Sequence, residues 1–268
     1  MTTIINETNI SLSLPPTPSL ARTCKKNTTI RTRLSRECQK VGFEGIQNKL
    51  ETFDSCVAKM FCGAGKSRIM MELIIERNVE LSVVVFPNLA LIAQFSTDYL
   101  NSEMYSRYVS DCRMMNVSSF EDELVQSTTN PSQISEFVSN NTSRRIICVT
   151  YQSLDVLLDN LNETVIDLCL FDEGHRSVSV EYKKLIYGDA YNSKYSKKVF
   201  FTATPVNKNG IVMFDREHDE IEKYGDCGPL ATEYTYLDGV NDKILKPFDL
   251  RIDMYTDGSS ETCIFETI

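Results

Sequence analysis

The amino-acid sequence predicts an α/β fold: a central, mostly parallel β-sheet with helices on both faces. Three observations carry that reading. Between residues 34 and 245, apolar runs alternate with segments of helical period, as a parallel sheet with right-handed crossovers requires. The core of LSVVVF is continuously apolar, as in a strand buried on both faces. Polar clusters (CGAGKS, PN, TYQS, DEGH and TATP) follow five of the runs, where open α/β sheets hold their ligands.

The elements follow in order. SRECQKVGFEGIQNKL sets Cys38, Val41, Ile46 and Leu50 near one helical face, although Gly42 and Gly45 weaken it. CVAKMFC reads as a short strand, KSRIMMELIIER as a helix, LSVVVF as a strand and LALIAQFSTDYL as a helix. RYVSDCRMMNVSS contains a strand. A short helix starts near Ser132, with Glu136 placed to support its first turn. Then come strand RIICVT, helix YQSLDVLLDNL, strand VIDLCLFD, a helix near 178–187 and strand KKVFFTA. EYTYLDGVNDKILKPFDLRID reads as strand, short helix and strand.

Composition narrows the function classes. The net charge of -9 splits into +5 over residues 1–50 and -14 over the rest. Such an acidic body does not coat nucleic acid through its overall field, though it can hold a local binding groove. Residues 1–33 are rich in Thr, Ser, Asn and Pro without periodicity, and read as a disordered basic and polar arm. Within RTCKKNTTIRTRLSR, six basic residues and no acid read as a solvated tail rather than a phosphate contact or an address. Nine cysteines with no C-x-x-C spacing argue for reduced thiols in an intracellular protein. No apolar run approaches the roughly 20 residues of a membrane helix, and no signal peptide is recognisable, so no membrane partner is expected.

Two clusters carry chemistry. MFCGAGKS fits the phosphate-loop pattern G-x-x-x-x-G-K-[ST], with Met60 where the first glycine usually stands. Gly63 and Gly65 let backbone N–H groups turn toward phosphate, and the following helix offers its N-terminus to the anion. Lys66 would reach the β- and γ-phosphates and Ser67 would ligate Mg²⁺. Alone, the stretch has a lesser alternative reading, a glycine turn that caps a helix. In LFDEGHRS, Asp172 and Glu173 end a strand, suited to holding Mg²⁺ and to activating a water. Alone, that pair is equally an exposed acidic turn. Occurring together and in this order, the two motifs support each other. His175 lies two residues past Glu173, where it would hydrogen-bond across the cleft and sense the nucleotide state; His218 is assigned no role.

CGAGKS, FPNLALIAQ, VTYQSL, FDEGHR and FTATP, in this order, resemble motifs I, Ia, Ib, II and III of superfamily 2 DExH-box helicases. The likeness is strongest to the branch of type I and III restriction-enzyme motor subunits and the nucleotide-excision-repair helicase-like protein, and covers about residues 34–255. It implies a RecA-like P-loop NTPase domain over residues 34–245, using ATP and Mg²⁺. SRECQ resembles the branch's upstream R-x-x-Q element, so Gln39 would read adenine with Arg36 in support. Cys62, Gly63, Ala64, Gly65, Lys66 and Ser67 would form the nucleotide cradle, with Ser67 and Asp172 on the metal. Lys66, Asp172, Glu173 and His175 would be the catalytic group. Thr202, Ala203 and Thr204 would couple the nucleotide to the nucleic-acid face. Pro87, Asn88, Gln94, Thr150, Tyr151 and Ser153 would lie along one nucleic-acid strand, DNA favoured over RNA, through phosphate and sugar.

Met60 and Gly174 depart from the usual pattern. Residues 246–268 read as the start of a second motor domain, cut off before motifs IV to VI. The expectation is therefore half of an ATP cleft that needs a second RecA-like domain, in cis or in trans, and turns over weakly or not at all alone. The alternative is a non-enzymatic truncated or regulatory module that keeps the fold. A GTPase or ring ATPase is disfavoured by FDEGH, FTATP and Gln39.

Overall fold

The computed structural model describes residues 33–119, 125–140, 143–206, 213 and 227–247. The expected arm (except Arg33), His218 and nearly all of the expected second-domain segment lie outside the described residues.

Eight strands form one sheet: β1 (Ser55–Met60), β2 (Leu81–Phe86), β3 (Arg113–Val117), β4 (Ser127–Thr128), β5 (Arg145–Thr150), β6 (Ile166–Phe171), β7 (Tyr195–Thr202) and β8 (Leu230–Tyr234). Their order is β4-β3-β5-β2-β6-β7-β1-β8. Every pairing among them is parallel. Each crossover therefore has to leave the sheet, and helices carry those among the described residues: α2 (Lys66–Arg77), α3 (Leu89–Phe95), α4 (Glu103–Val109), α5 (Pro131–Ser139), α6 (Leu154–Asp159), α7 (Val180–Tyr187) and α8 (Asp189–Asn192); α1 (Glu37–Thr52) precedes β1 and α9 (Tyr236–Asn241) follows β8.

Side chains that alternate along the strands build two cores. Val84 and Phe86 of β2 and Leu168 and Leu170 of β6 pack with α1–α4 on one face, through Phe43, Ile46, Leu73, Ile92 and Tyr105. Val83 and Val85, with Cys169 and Phe171, pack with α5–α7 on the other, through Phe137, Leu157 and Ile186. All six residues of β2 and of β5 are buried, which is why these runs lack polar alternation.

One element differs from expectation: the helix over LALIAQFSTDYL ends as α at Phe95 and continues as a wider π-turn, Ser96–Leu100. The helix expected near Ser132 starts at Pro131, because the Asn130 side chain accepts the Ser132 N–H at 3.0 Å and proline suits the first helical position. The strand expected in RYVSDCRMMNVSS is β3, and the segment also holds the end of α4. The glycines that weakened α1 are what seat it: a Cβ at Gly45 would stand 2.5 Å from the Ala231 carbonyl oxygen of β8.

Candidate functional site

All five polar clusters fall at the carboxyl edge of the sheet. Across the sheet, Thr150 ends β5, Pro87 and Asn88 follow β2, Asp172 and Glu173 follow β6, Thr202 ends β7, and the glycine loop follows β1. The β7 strand thus stands between the glycine loop and the acidic pair.

In the loop, Gly63 and Gly65 have φ of +89° and +92°, so successive N–H groups can turn inward as an anion nest. Gly65 caps α2, which places the helix N-terminus and its dipole behind Lys66 and Ser67. Glycine is required at 65 twice over, since a Cβ there would meet Gln39 Nε2 at 2.1 Å. Gln39 is buried beneath the loop: its Nε2 donates to the Ala64 carbonyl at 3.1 Å, and its Oε1 accepts the Arg36 N–H at 3.3 Å. Arg36 donates to the Gly63 carbonyl at 2.7 Å. The two residues expected to serve the base thus also hold the loop's outward carbonyls. Ala64 is buried, Cys62 exposed and Ser67 half-buried. Lys66 is buried too, and its Nζ makes a long 3.5 Å contact with the Met60 carbonyl.

Asp172 is 7% exposed. Burial pushes its carboxyl up to about 6, the Lys66 ammonium pulls it back down, and the Glu173 carboxylate adds to the rise. Glu173 takes a left-handed φ of +48°, which breaks the strand and starts a 3₁₀ turn over Gly174–Val178. His175 Nδ1 lies 3.3 Å from Glu173 Oε2 and 3.2 Å from Thr202 Oγ1. Thr202 Oγ1 in turn donates to the Thr204 carbonyl at 2.8 Å and accepts the Thr204 N–H at 3.1 Å. With the Thr202 proton given to Thr204, His175 Nδ1–H is the donor toward Thr202. Glu173, His175, Thr202 and Thr204 so form one connected line from the β6 loop to the β7 loop, passing Ala203.

Tyr151 corrects an expectation. It is wholly buried, its ring is 5.1 Å from Tyr182, and its hydroxyl donates to the Asp172 carbonyl at 3.0 Å. It supports the acidic pair from beneath rather than facing a nucleic-acid strand. Tyr151→Phe is expected to cost about 1–2 kcal/mol by leaving that carbonyl short of a donor, read from urea denaturation midpoints. The other strand-facing candidates lie on neighbouring loops, since Phe86 and Thr150 are in register. Asn88 caps α3 by accepting the Leu91 N–H at 3.1 Å, and Thr150 caps the next turn through Ser153 N–H at 3.3 Å. Gln94 is exposed, on Asp98 at 3.3 Å. Asn88 and Thr150 therefore shape their loops locally.

No disulfide is formed among the described residues. Among the described residues no helix is long and apolar enough to cross a membrane, and no group of three or more His, Cys, Asp or Glu is set to hold a metal ion. A Mg²⁺ bound through one carboxylate, one hydroxyl and substrate phosphates needs no such cage.

A parallel sheet that carries a phosphate loop, an Asp-Glu-x-His box and a Thr-Ala-Thr segment on consecutive neighbours of its carboxyl edge defines a RecA-like motor domain of the ATP-dependent, superfamily 2 helicase class. Within that class, the chain belongs to the family described as Type III restriction enzyme, res subunit, whose model matches residues 33–207. It is 26% identical over 238 residues to the probable helicase A859L of African swine fever virus (isolate Pig/Kenya/KEN-50/1950), an alignment covering 86% of this chain and 25% of the viral protein. The chain thus spans about a quarter of the length of the curated relatives it matches. Among solved structures it is similar to a nuclease-deletion mutant of the Type ISP restriction-modification enzyme LlaGI in complex with a DNA substrate mimic, with TM-score 0.61, 21% identity, and coverage of 78% of this chain and 20% of that one. It is also similar to the ATP-dependent Type ISP enzyme LlaBIII bound to DNA, with TM-score 0.58, 19% identity, and coverage of 78% and 16%. These likenesses show the fold.

The sequence reading missed Arg33, assigning it to the arm. The structure fastens it to α2 by two hydrogen bonds to Glu72. The signal available was its position next to Leu34, the first buried apolar residue of the described chain.

Proposed function

We propose that this chain binds Mg·ATP in the loop between β1 and α2 and acts as the first motor domain of a nucleic-acid translocase, DNA favoured over RNA, facing a second RecA-like domain. The observation that carries the reading is a buried ammonium, Lys66, near enough to a buried carboxylate, Asp172, to attract it without contact, behind a loop of two left-handed glycines. Each charge is stripped of water and held for a ligand of the opposite sign.

The residues present fit the nucleotide and its metal. The N–H groups of Gly63–Ser67 bind phosphate oxygens, and Lys66 supplies a positive charge where the γ-phosphoryl group leaves. Ser67 and Asp172 would hold Mg²⁺, which would neutralise phosphate charge as the bond to the γ-phosphoryl group breaks. Glu173 orients the attacking water and takes its proton. His175 passes a change at Glu173 to Thr202 and Thr204. The loops carrying Asn88, Thr150 and Ser153 offer polar groups for a nucleic-acid backbone, and the similar restriction-modification enzymes are described bound to DNA.

The test is ATP turnover with DNA, with RNA and with neither, for the chain alone and with a second motor domain supplied. Stimulated turnover is expected only in the completed pair, larger with DNA. Robust stimulated turnover by the chain alone would overturn the two-domain requirement. Absence of any Mg·ATP effect on its melting would overturn nucleotide binding and favour a non-enzymatic module.

A further inference from the structure

The segment that carries Arg36 and runs into Gln39 is not held by the phosphate loop alone. Arg33 meets Glu72 of α2 with two parallel hydrogen bonds of 2.9 and 2.8 Å, and Glu76 one turn on at 3.3 Å. The Glu72 side chain is wholly buried and that of Arg33 is 11% exposed, so this fork is shielded from solvent. On its other face, the Arg33 guanidinium sits 3.8 Å from the ring centroid of Tyr108, where α4 ends. Two residues later, Ser35 Oγ accepts from Arg68, also on α2, at 3.3 Å. The next residue, Arg36, lands on the Gly63 carbonyl, and Gln39 on the Ala64 carbonyl.

We propose that Arg33 is a positioning residue for base recognition: it fixes residues 33–36 on α2, and so sets where Arg36 and Gln39 stand against the nucleotide loop. The inference rests on the proposed Mg·ATP site and on the reading, implied by the resemblance, that Gln39 reads the base with Arg36 in support. Arg33 bonds to α2 and not to the loop. It reaches the loop only through Arg36 and Gln39, while the inward N–H groups are set by the left-handed Gly63 and Gly65 and by the start of α2, so phosphate binding should suffer far less than base contact from its loss. What depends on it chiefly is the increment contributed by the base. Lysine is not an equivalent, because one ammonium cannot make both bonds of the fork or stack its plane on Tyr108.

The experiment compares the affinity of the chain for Mg·ATP with that for Mg·tripolyphosphate, the same anion without the nucleoside. Arg33→Ala would leave Glu72 buried and unpaired and could unfold the chain. The main variant is therefore Arg33→Met with Glu72→Gln, which removes both charges together. Arg33→Lys serves as a second variant that keeps Glu72 paired. Melting curves check folding. In wild type, ATP is expected to bind more tightly than tripolyphosphate. In both variants tripolyphosphate affinity should stay within about twofold, while ATP affinity falls about tenfold, the factor one well-placed hydrogen bond carries. A folded variant that keeps the wild-type ratio overturns the role of Arg33, and so does an equal loss for both ligands. A wild-type ratio near one instead overturns base selection by Gln39 and Arg36, a different failure.

Discussion

Asp172→Asn is expected to stabilise the chain at pH 7 by up to about 3 kcal/mol while abolishing its Mg²⁺-dependent nucleotide binding. The carboxyl has an ordinary value of 3.8 and is pushed up to about 6 in the fold, chiefly by burial. The sign follows from proton counting. Between those two values the native state holds more protons than the unfolded chain, so stability falls as pH rises through that window. Below about pH 4 the group is neutral in both states and costs nothing. Above pH 6 it is ionised in both, and the native state bears the full cost of a desolvated charge, at about 1.4 kcal/mol per pH unit. Asparagine keeps the neutral shape at every pH. The variant should therefore lose the slope in stability between about pH 4 and 6, and at pH 7 melt roughly 6–12 °C higher. Melting temperatures of both forms across pH 4–8, without nucleotide or metal, decide it. If the two profiles run parallel, or the variant melts lower at pH 7, attraction from Lys66 outweighs burial and the account of this carboxylate is wrong. The result expected is a trade of stability for function, in which the site stores a charge that only a cation relieves.

That charge was half legible in the sequence. A strand ending in Asp172 and Glu173, downstream of Gly65-Lys66-Ser67, points to the proposed chemistry through residue type and order alone. The apolar runs fix the sheet for the same reason: β2 and β5 are buried on both faces, and no other role tolerates so few polar groups. What the sequence left open are facts about partners distant along the chain. Tyr151 looks like an exposed motif residue until the neighbouring Asp172 carbonyl takes its hydroxyl. Gln39 looks committed to a base, yet its amide is shared with the loop because α1 lies flush against it. Arg33 reads as tail because its partner, Glu72, is far along the chain and its burial is decided by α2. Short elements escaped for a related reason. The two-residue β4 and four-residue α8 are too brief for a period to show, and exist because β3 and α7 lie beside them.

His175 is where the local and the distant meet. Its place after Glu173 was readable, and its contact with Thr202 depends on β6 and β7 pairing so that Phe171 faces Phe200. The left-handed turn at Glu173 is what swings the imidazole toward β7. A strand continuing straight past Asp172 would carry it away. The contact therefore belongs to the backbone conformation of one acidic residue, and under the proposed function a ligand that moves Glu173 would be felt at Thr202 through His175.

Lys66→Ala should then remove nucleotide binding with little harm to the fold. The ammonium is buried, its long 3.5 Å contact with the Met60 carbonyl is a weak one to lose, and the attraction it gives Asp172 is set against the cost of desolvating the ammonium itself. That cost, borne on folding, is offset in full only when phosphate arrives. Charge-assisted bonds to two phosphate groups, at about 1.5–3 kcal/mol each, amount to a loss of at least about 100-fold in affinity. At a nucleotide concentration of about 100 times the wild-type Kd, binding stabilises the native state by about 2.7 kcal/mol; after a 100-fold loss the same concentration gives about 0.4 kcal/mol. Mg·ATP should thus raise the wild-type melting temperature by roughly 5–11 °C and that of Lys66→Ala by about 1 °C. The nucleotide-free variant should melt within a few degrees of wild type, which separates loss of the ligand from loss of the fold. Equal protection of both forms would place the phosphates elsewhere, and would remove the reason for a lysine to stand buried beside Asp172.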